Sequence, residues 1–171
     1  MKGTLTDLLL DLFGRVDEHV HQAIDGIDHD LLMVSPEPGA NPIAWLVWHL
    51  TRVQDSHIAE LTGDAQVWAG GDWAAHFGLP ADPQNTGYGH TPDDVASVCP
   101  DGPAALLDYH DAVASRTRIF LEGLTPADLT LVVDRRWDPQ VTMAVRLVSI
   151  ADDDIQHAGQ AAYLRGILER R

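Results

Sequence analysis

The sequence predicts an all-α protein, a four-helix bundle with a long loop between its second and third helices. Apolar residues recur at three- and four-residue intervals over four long stretches. Breaker segments rich in Gly and Pro separate these stretches, and no alternating strand pattern of useful length competes with them. The 171 residues are read as one domain spanning 1–171, long enough to bury roughly two thirds of the surface an unfolded chain exposes. No internal repeat is visible.

The first helix begins at Leu5 and carries Leu8, Leu9, Leu12, Phe13, Val16, Val20, Ala23, Ile24 and Ile27 on one side. The breaker Ser35-Pro36-Glu37-Pro38-Gly39 follows. Asn41 is then placed to cap, and Pro42 to occupy the first turn of, a second helix that runs to about Thr62 and stops at Gly63. Its apolar side is Ile43, Leu46, Val47, Leu50, Val53 and Leu61. Residues 63–90 hold repeated glycines and prolines together with Trp68, Trp73, Phe77 and Tyr88, which predicts a packed cover over one end of the bundle. Thr91-Pro92 opens a short helical turn. A third long helix starts near Asp101 or Pro103 and presents Leu106, Tyr109, Val113, Thr117, Phe120 and Leu124. Thr125-Pro126-Ala127-Asp128 repeats the cap-proline-acid signature of a short turn, residues 131–133 read as extended, and Asp138-Pro139 breaks the chain. Thr142 caps the last helix, which continues to about Leu168.

The net charge of -15 repels a phosphate backbone and argues against nucleic acid as a partner. Arg135 and Arg136 are the densest internal basic spot, a solvated pair or a small-anion contact. Cys99 is the only cysteine, so disulfides within the chain and thiolate metal clusters are excluded, and it is expected to be a small buried apolar residue. The apolar stretch after Lys2 is broken by Asp7 and Asp11, unlike a signal peptide or a membrane span. A soluble cytoplasmic protein is the expectation.

Chemistry gathers on the last helix. Arg146, Ser149, Asp153, His157 and Gln160 are spaced by three or four residues and make one polar stripe. Ile150, Leu164 and Ile167 border it, which predicts a lined cavity inside the bundle rather than open water. Asp153 and His157, with a histidine from the second helix, would offer two imidazoles and a carboxylate to a divalent metal. The same Asp-x-x-x-His spacing recurs at Asp25/His29, pointing away from the apolar side, and at Asp72/His76 in the glycine-rich loop. Asp17/His21, at the flank of the first helix, stays open. On the second helix, His57 lies nearer the centre of the apolar side and His49 at its edge, so the pattern alone leans to His57 and leaves both open.

Three segments, Pro42-Ile43-Ala44-Trp45-Leu46-Val47-Trp48-His49-Leu50-Thr51-Arg52, Thr86-Gly87-Tyr88-Gly89-His90-Thr91-Pro92 and Asp153-Asp154-Ile155-Gln156-His157-Ala158-Gly159-Gln160, resemble the DinB-like superfamily. The likeness spans nearly the whole chain. Within it the sequence is similar to the actinobacterial branch related to the metal-binding N-terminal domain of mycothiol-dependent maleylpyruvate isomerase and to bacillithiol transferases. The resemblance implies a four-helix bundle with His49, Asp153 and His157 as metal ligands. Asp stands where the isomerase pattern has Glu; being one methylene shorter, it implies a metal nearer that helix or a ligand role for Asp154. The isomerase's C-terminal domain has no counterpart before Arg171, which turns the expectation away from maleylpyruvate isomerisation itself.

The implied activity is thiol transfer or thiol-assisted isomerisation, using a divalent metal (zinc first, nickel or iron also served by these ligands) and a low-molecular-weight thiol such as mycothiol on a small electrophile. A metal-dependent hydrolase and a non-catalytic stress or small-ligand-binding protein are the alternatives. Arg146 is placed to hold a substrate carboxylate or a neighbouring acid, Gln160 to orient a ligand, and Trp45 to wall the cavity or pack the core. His110 is a proton shuttle or a core histidine. Bundles of this size often dimerise, which leaves a homodimer open.

Overall fold

Thr4 starts the first helix by a reciprocal cap, its hydroxyl accepting from the Asp7 amide while the Asp7 carboxylate accepts from the Thr4 amide. In the computed structural model, which describes residues 3–170, that helix is α1 (Leu5–Ile24), followed by the single turn α2 (His29–Leu32). Met1, Lys2 and Arg171 lie outside the described residues. The long helix α3 (Ile43–Thr62) ends at Gly63, whose φ of 75° is the left-handed stop that glycine supplies. Short helices α4 (Trp73–His76) and α5 (Pro92–Ser97) lie in the connection to α6 (Pro103–Glu122). The last helix is α7 (Met143–Leu168), capped by Thr142 as the sequence predicts. Pro42 proves to be the N-terminal cap of α3 rather than a residue of its first turn: its ψ of 165° is still extended.

The four long helices form a square. α3 packs on α6 and α7, and α1 packs on the same two, so the α3–α7 and α1–α6 seams lie on opposite sides of the bundle. The strands β1 (Val132–Asp134) and β2 (Val141–Thr142) pair antiparallel as a small clip before α7, one residue off from the extended stretch expected at 131–133. One apolar cluster centres on Trp48, Leu50, Trp68, Phe77 and Tyr109, and a second on Phe13, Ile58, Leu121, Leu147 and Ile150. Buried polar side chains fall between them along the helices: Thr51, Gln54, His110, Thr117 and Asp154.

In residues 63–90 Trp68 and Phe77 pack inward as expected of a cover while Tyr88 is exposed, and the segment is held by the fully buried Arg52 of α3. Its guanidinium donates to the backbone carbonyls of Asn85 (3.1 Å) and Pro83 (3.1 Å), to Gln66 Oε1 (2.9 Å), to the Tyr109 hydroxyl (3.0 Å) and to Asp55 (3.3 Å). Asp55 in turn accepts from the amides of Val67 and Trp68 and from the Tyr109 hydroxyl, each at 2.9 Å. Arg52 also lies over the Trp68 ring, 4.7 Å from its centroid. A buried charge pair is tolerated only when its hydrogen bonds are satisfied, and here the loop backbone satisfies them. Cys99 departs from expectation: it is exposed, because the extended chain turns its neighbours Val98 and Pro100 inward and Cys99 outward. Among the described residues no helix is long and apolar enough to cross a membrane.

Candidate metal centre

α3 and α7 meet along the seam that carries the predicted ligands. One nitrogen each of His49 and His157 and one carboxylate oxygen of Asp153 lie within 4.8 Å of one another. His57, which the pattern favours, lies outside this group: it is half-buried beside Arg146, 3.0 Å from that guanidinium, and burial followed by the Arg146 charge holds its imidazole below the usual histidine range. Asp154 lies outside this group as well. It turns fully into the core, where burial and then the neighbouring Asp153 charge push its carboxyl well above the usual range.

Each histidine of the centre has its far nitrogen engaged. His49 Nδ1 donates to the Thr86 carbonyl at 2.5 Å; a carbonyl can only accept, so Nδ1 carries the proton and Nε2 keeps a lone pair. His157 Nδ1 lies 3.0 Å from Gln160 Oε1, which fixes the same tautomer, and its Nε2 stands 3.7 Å from Asp153 Oδ1. Asp153 Oδ2 is buried with no hydrogen-bond partner. Burial pushes the His49 imidazole below the usual range, against the opposing pull of Thr86 and the Asp153 charge. That favours the neutral ring, the form that ligates a metal. Two imidazole nitrogens and a carboxylate oxygen within 4.8 Å of one another fit a divalent ion of borderline softness.

The loop forms one wall. Trp45 stacks on His49 with centroids 4.5 Å apart and planes within 11°, and its indole N–H donates to His90 Nδ1 at 3.1 Å. His90 Nε2 donates to Asn85 Oδ1 at 2.8 Å, so both its ring nitrogens are occupied. Gly87, at φ 92°, passes so close that an added Cβ would stand 2.7 Å from His49 Nδ1 and 2.9 Å from the Trp48 ring.

Several expected participants are placed otherwise. The α7 stripe lies along a half-open seam rather than inside an enclosed cavity, with Ser149 and Gln160 exposed, because α7 turns Leu147, Ile150, Asp154 and Ala158 into the core instead. Arg146 is bound to Asp134 at 3.1 Å and to His57, the neighbouring-acid arrangement rather than a free anion contact. Arg136 pairs with the same Asp134 at 2.7 Å, and Arg135 leans on Gln140. His110 faces the opposite seam, against Thr51 and Asp17, away from this centre. His76 pairs with Asp101 rather than Asp72. Reading the sequence missed Thr86, Arg52 and Asp55; the signal available for the last two was a charged pair three residues apart on a helix that is otherwise strongly apolar.

The sequence profile of the mycothiol-S-transferase family matches residues 8–170. A solved structure titled as a conserved protein of locus from Enterococcus faecalis superposes with a TM-score of 0.89 at 29% identity, covering 98% of this chain and 99% of that one. No curated protein matches. With its DinB-like bundle and its profile match along almost the whole sequence, the chain belongs to the mycothiol-S-transferase family.

Proposed function

We propose that the protein is a metal-dependent thiol S-transferase in which His49, Asp153 and His157 hold a divalent ion, zinc foremost. Mycothiol or a closely related thiol is the sulfur donor, and a small electrophile the acceptor. The observation that carries this reading is the pair of fixed ring tautomers. With Nδ1 of His49 on the Thr86 carbonyl and Nδ1 of His157 on Gln160, both Nε2 lone pairs are left for a shared ion. The orphaned Asp153 Oδ2 adds support, since a buried acceptor without a partner costs about 1–3 kcal/mol unless something takes it up.

A divalent ion with three protein ligands supplies one thing: a coordinated thiol gives up its proton near neutral pH. The chain's own residues do the rest. Gln160 orients His157, and Thr86 orients His49. Trp45 and the Gly87 backbone cover one side of His49 and keep water from it. His90 holds Trp45 in place and, with both nitrogens engaged, moves no proton. In the net reaction the thiol S–H bond and the bond from the electrophilic carbon to its leaving group break, and a C–S bond forms. The leaving group departs with its electron pair, the proton passes to solvent, and nothing is oxidised.

The test uses cobalt-substituted protein. Saturating mycothiol is expected to add sulfur-to-cobalt charge-transfer absorption, and His157→Ala to abolish it. A cobalt spectrum indifferent to the thiol would contradict the reading.

A further inference from the structure

The Asp17/His21 pair left open by the sequence lies on the α1–α6 seam, across the bundle from the centre described above. There Asp111 of α6 completes a second group: one ligand atom each of Asp17, His21 and Asp111 lies within 4.8 Å of the others. His21 Nε2 is 2.8 Å from Asp111 Oδ1 and 3.9 Å from Asp17 Oδ1. These groups line a cavity of about 330 Å³ whose other walls include Phe13 and Leu121. A surface cluster of acids with one histidine is common and by itself says little.

His110 changes its meaning. It lines the same cavity, is wholly buried, and its Nε2 has no hydrogen-bond partner, although Asp17 Oδ1 is 3.4 Å away. Its tautomer follows from Thr51, whose hydroxyl donates its single proton to the Val47 carbonyl at 2.8 Å and can then only accept from His110 Nδ1 at 3.2 Å. Nε2, buried and without a hydrogen-bond partner, faces the Asp17 carboxylate of this group. Gln54 repeats the pattern: its Nε2 donates to Thr117 at 2.7 Å, leaving Oε1 buried and unpartnered beside the same cavity. Two buried unpartnered atoms, His110 Nε2 and Gln54 Oε1, thus line the cavity beside the Asp17 and Asp111 carboxylates, where a cation would be held, while Arg118 in the same wall is paired with Glu122 at 3.1 Å. An imidazole beside two carboxylates favours a borderline transition ion over magnesium or calcium.

We propose that Asp17, His21 and Asp111, backed by the buried His110, form a second divalent-metal site, for an ion such as Zn²⁺, Ni²⁺ or Co²⁺, at the mouth of the α1–α6 cavity. Asp25 stands behind it, its carboxylate 3.8 Å from His21 Nδ1, where it can take up that ring's N–H once Nε2 binds metal.

The site is tested in full-length His49→Ala/His157→Ala protein, so that the α3–α7 centre contributes nothing. Equilibrium dialysis against Zn²⁺, and titration with Co²⁺ followed in the visible, are expected to show one ion per chain. Adding His21→Gln or Asp17→Asn, both at partly exposed positions with folding checked by circular dichroism, is expected to weaken binding at least about 10-fold. His19→Gln, an exposed histidine on the opposite face of α1, should leave it unchanged. Absence of the ion from the background protein overturns the proposal, as does binding that survives His21→Gln and Asp17→Asn, or that falls equally with His19→Gln. If the background protein binds as many ions as the wild type, the α3–α7 centre fails and this one stands.

Discussion

Gly87 shows how narrowly the α3–α7 centre is built at the level of single residues. Alanine there meets two penalties, a left-handed backbone costing about 1–2 kcal/mol and a collision with His49 and Trp48. Gly89, at φ 76° with nothing within 4 Å, meets only the first. Gly87→Ala is therefore expected to destabilise the protein more than Gly89→Ala in denaturant titrations and to weaken metal binding as well; equal effects would contradict the packing described. The neighbouring carboxylates are separated by a second pair of variants. Asp153→Asn is expected to lose metal at the α3–α7 seam, while Asp154→Asn keeps it, as read by cobalt absorption in protein also carrying His21→Gln. Of this site the sequence made Asp153, His157 and Gln160 legible through spacing, and His49 only through family resemblance. The reason is physical. α3 is covered by α6 and α7 on one side and by the loop on the other, so from Ile43 to Arg52 every residue is buried and no polar stripe remains to distinguish a ligand from a core histidine.

At the scale of elements, the long loop is a wall of the site because Arg52 fastens it there. Removing the guanidinium by Arg52→Ala takes the close counter-charge from buried Asp55, leaving it the Val67, Trp68 and Tyr109 hydrogen bonds and Arg116 at 3.9 Å, with an expected loss of about 3 kcal/mol. It should also release the Thr86 carbonyl from His49, so amide exchange across residues 83–90 should quicken and metal affinity should fall about 10- to 100-fold. Metal affinity unchanged in a folded Arg52→Ala protein would mean that the loop does not hold the ligand. The β1–β2 clip offers a pH test. Hydrogen bonds from the Arg136 side chain and backbone, then the charges of Arg136 and Arg146, hold the Asp134 carboxyl far below the usual carboxylate range. A depressed carboxylate stabilises the fold above its unfolded value of about 3.9, and that contribution disappears as pH falls toward the folded value. The melting-temperature deficit of Asp134→Asn should be full at neutral pH and shrink below about pH 4; a deficit indifferent to pH would contradict the pairing. Helix ends were largely legible, since Gly63, Thr91 and Thr142 act as local stop and start signals that need no tertiary information, although the Thr4 cap went unread and α3 is capped at Pro42 rather than Asn41. The strand clip was only half legible: residues 131–133 read as extended, one residue early, and the partner Val141–Thr142 is too short to show a period.

The whole molecule is an acidic bundle with a polar layer through its core and candidate ion sites on two opposite seams. Such a fold carries the cost of unpaired buried acceptors when metal-free, and metal should therefore stabilise it. Free Zn²⁺ at 100 times its dissociation constant is expected to add about 2.7 kcal/mol for one site, read as a rise in melting temperature. The most direct measurement is an anomalous difference map from crystals of the zinc-loaded protein, collected across the zinc edge. The account predicts a peak between α3 and α7 at about 2.0–2.2 Å from His49 Nε2, His157 Nε2 and an Asp153 carboxylate oxygen. A zinc-loaded crystal with no anomalous density between those three side chains, or with the ion on His57 and Asp154 instead, would contradict it.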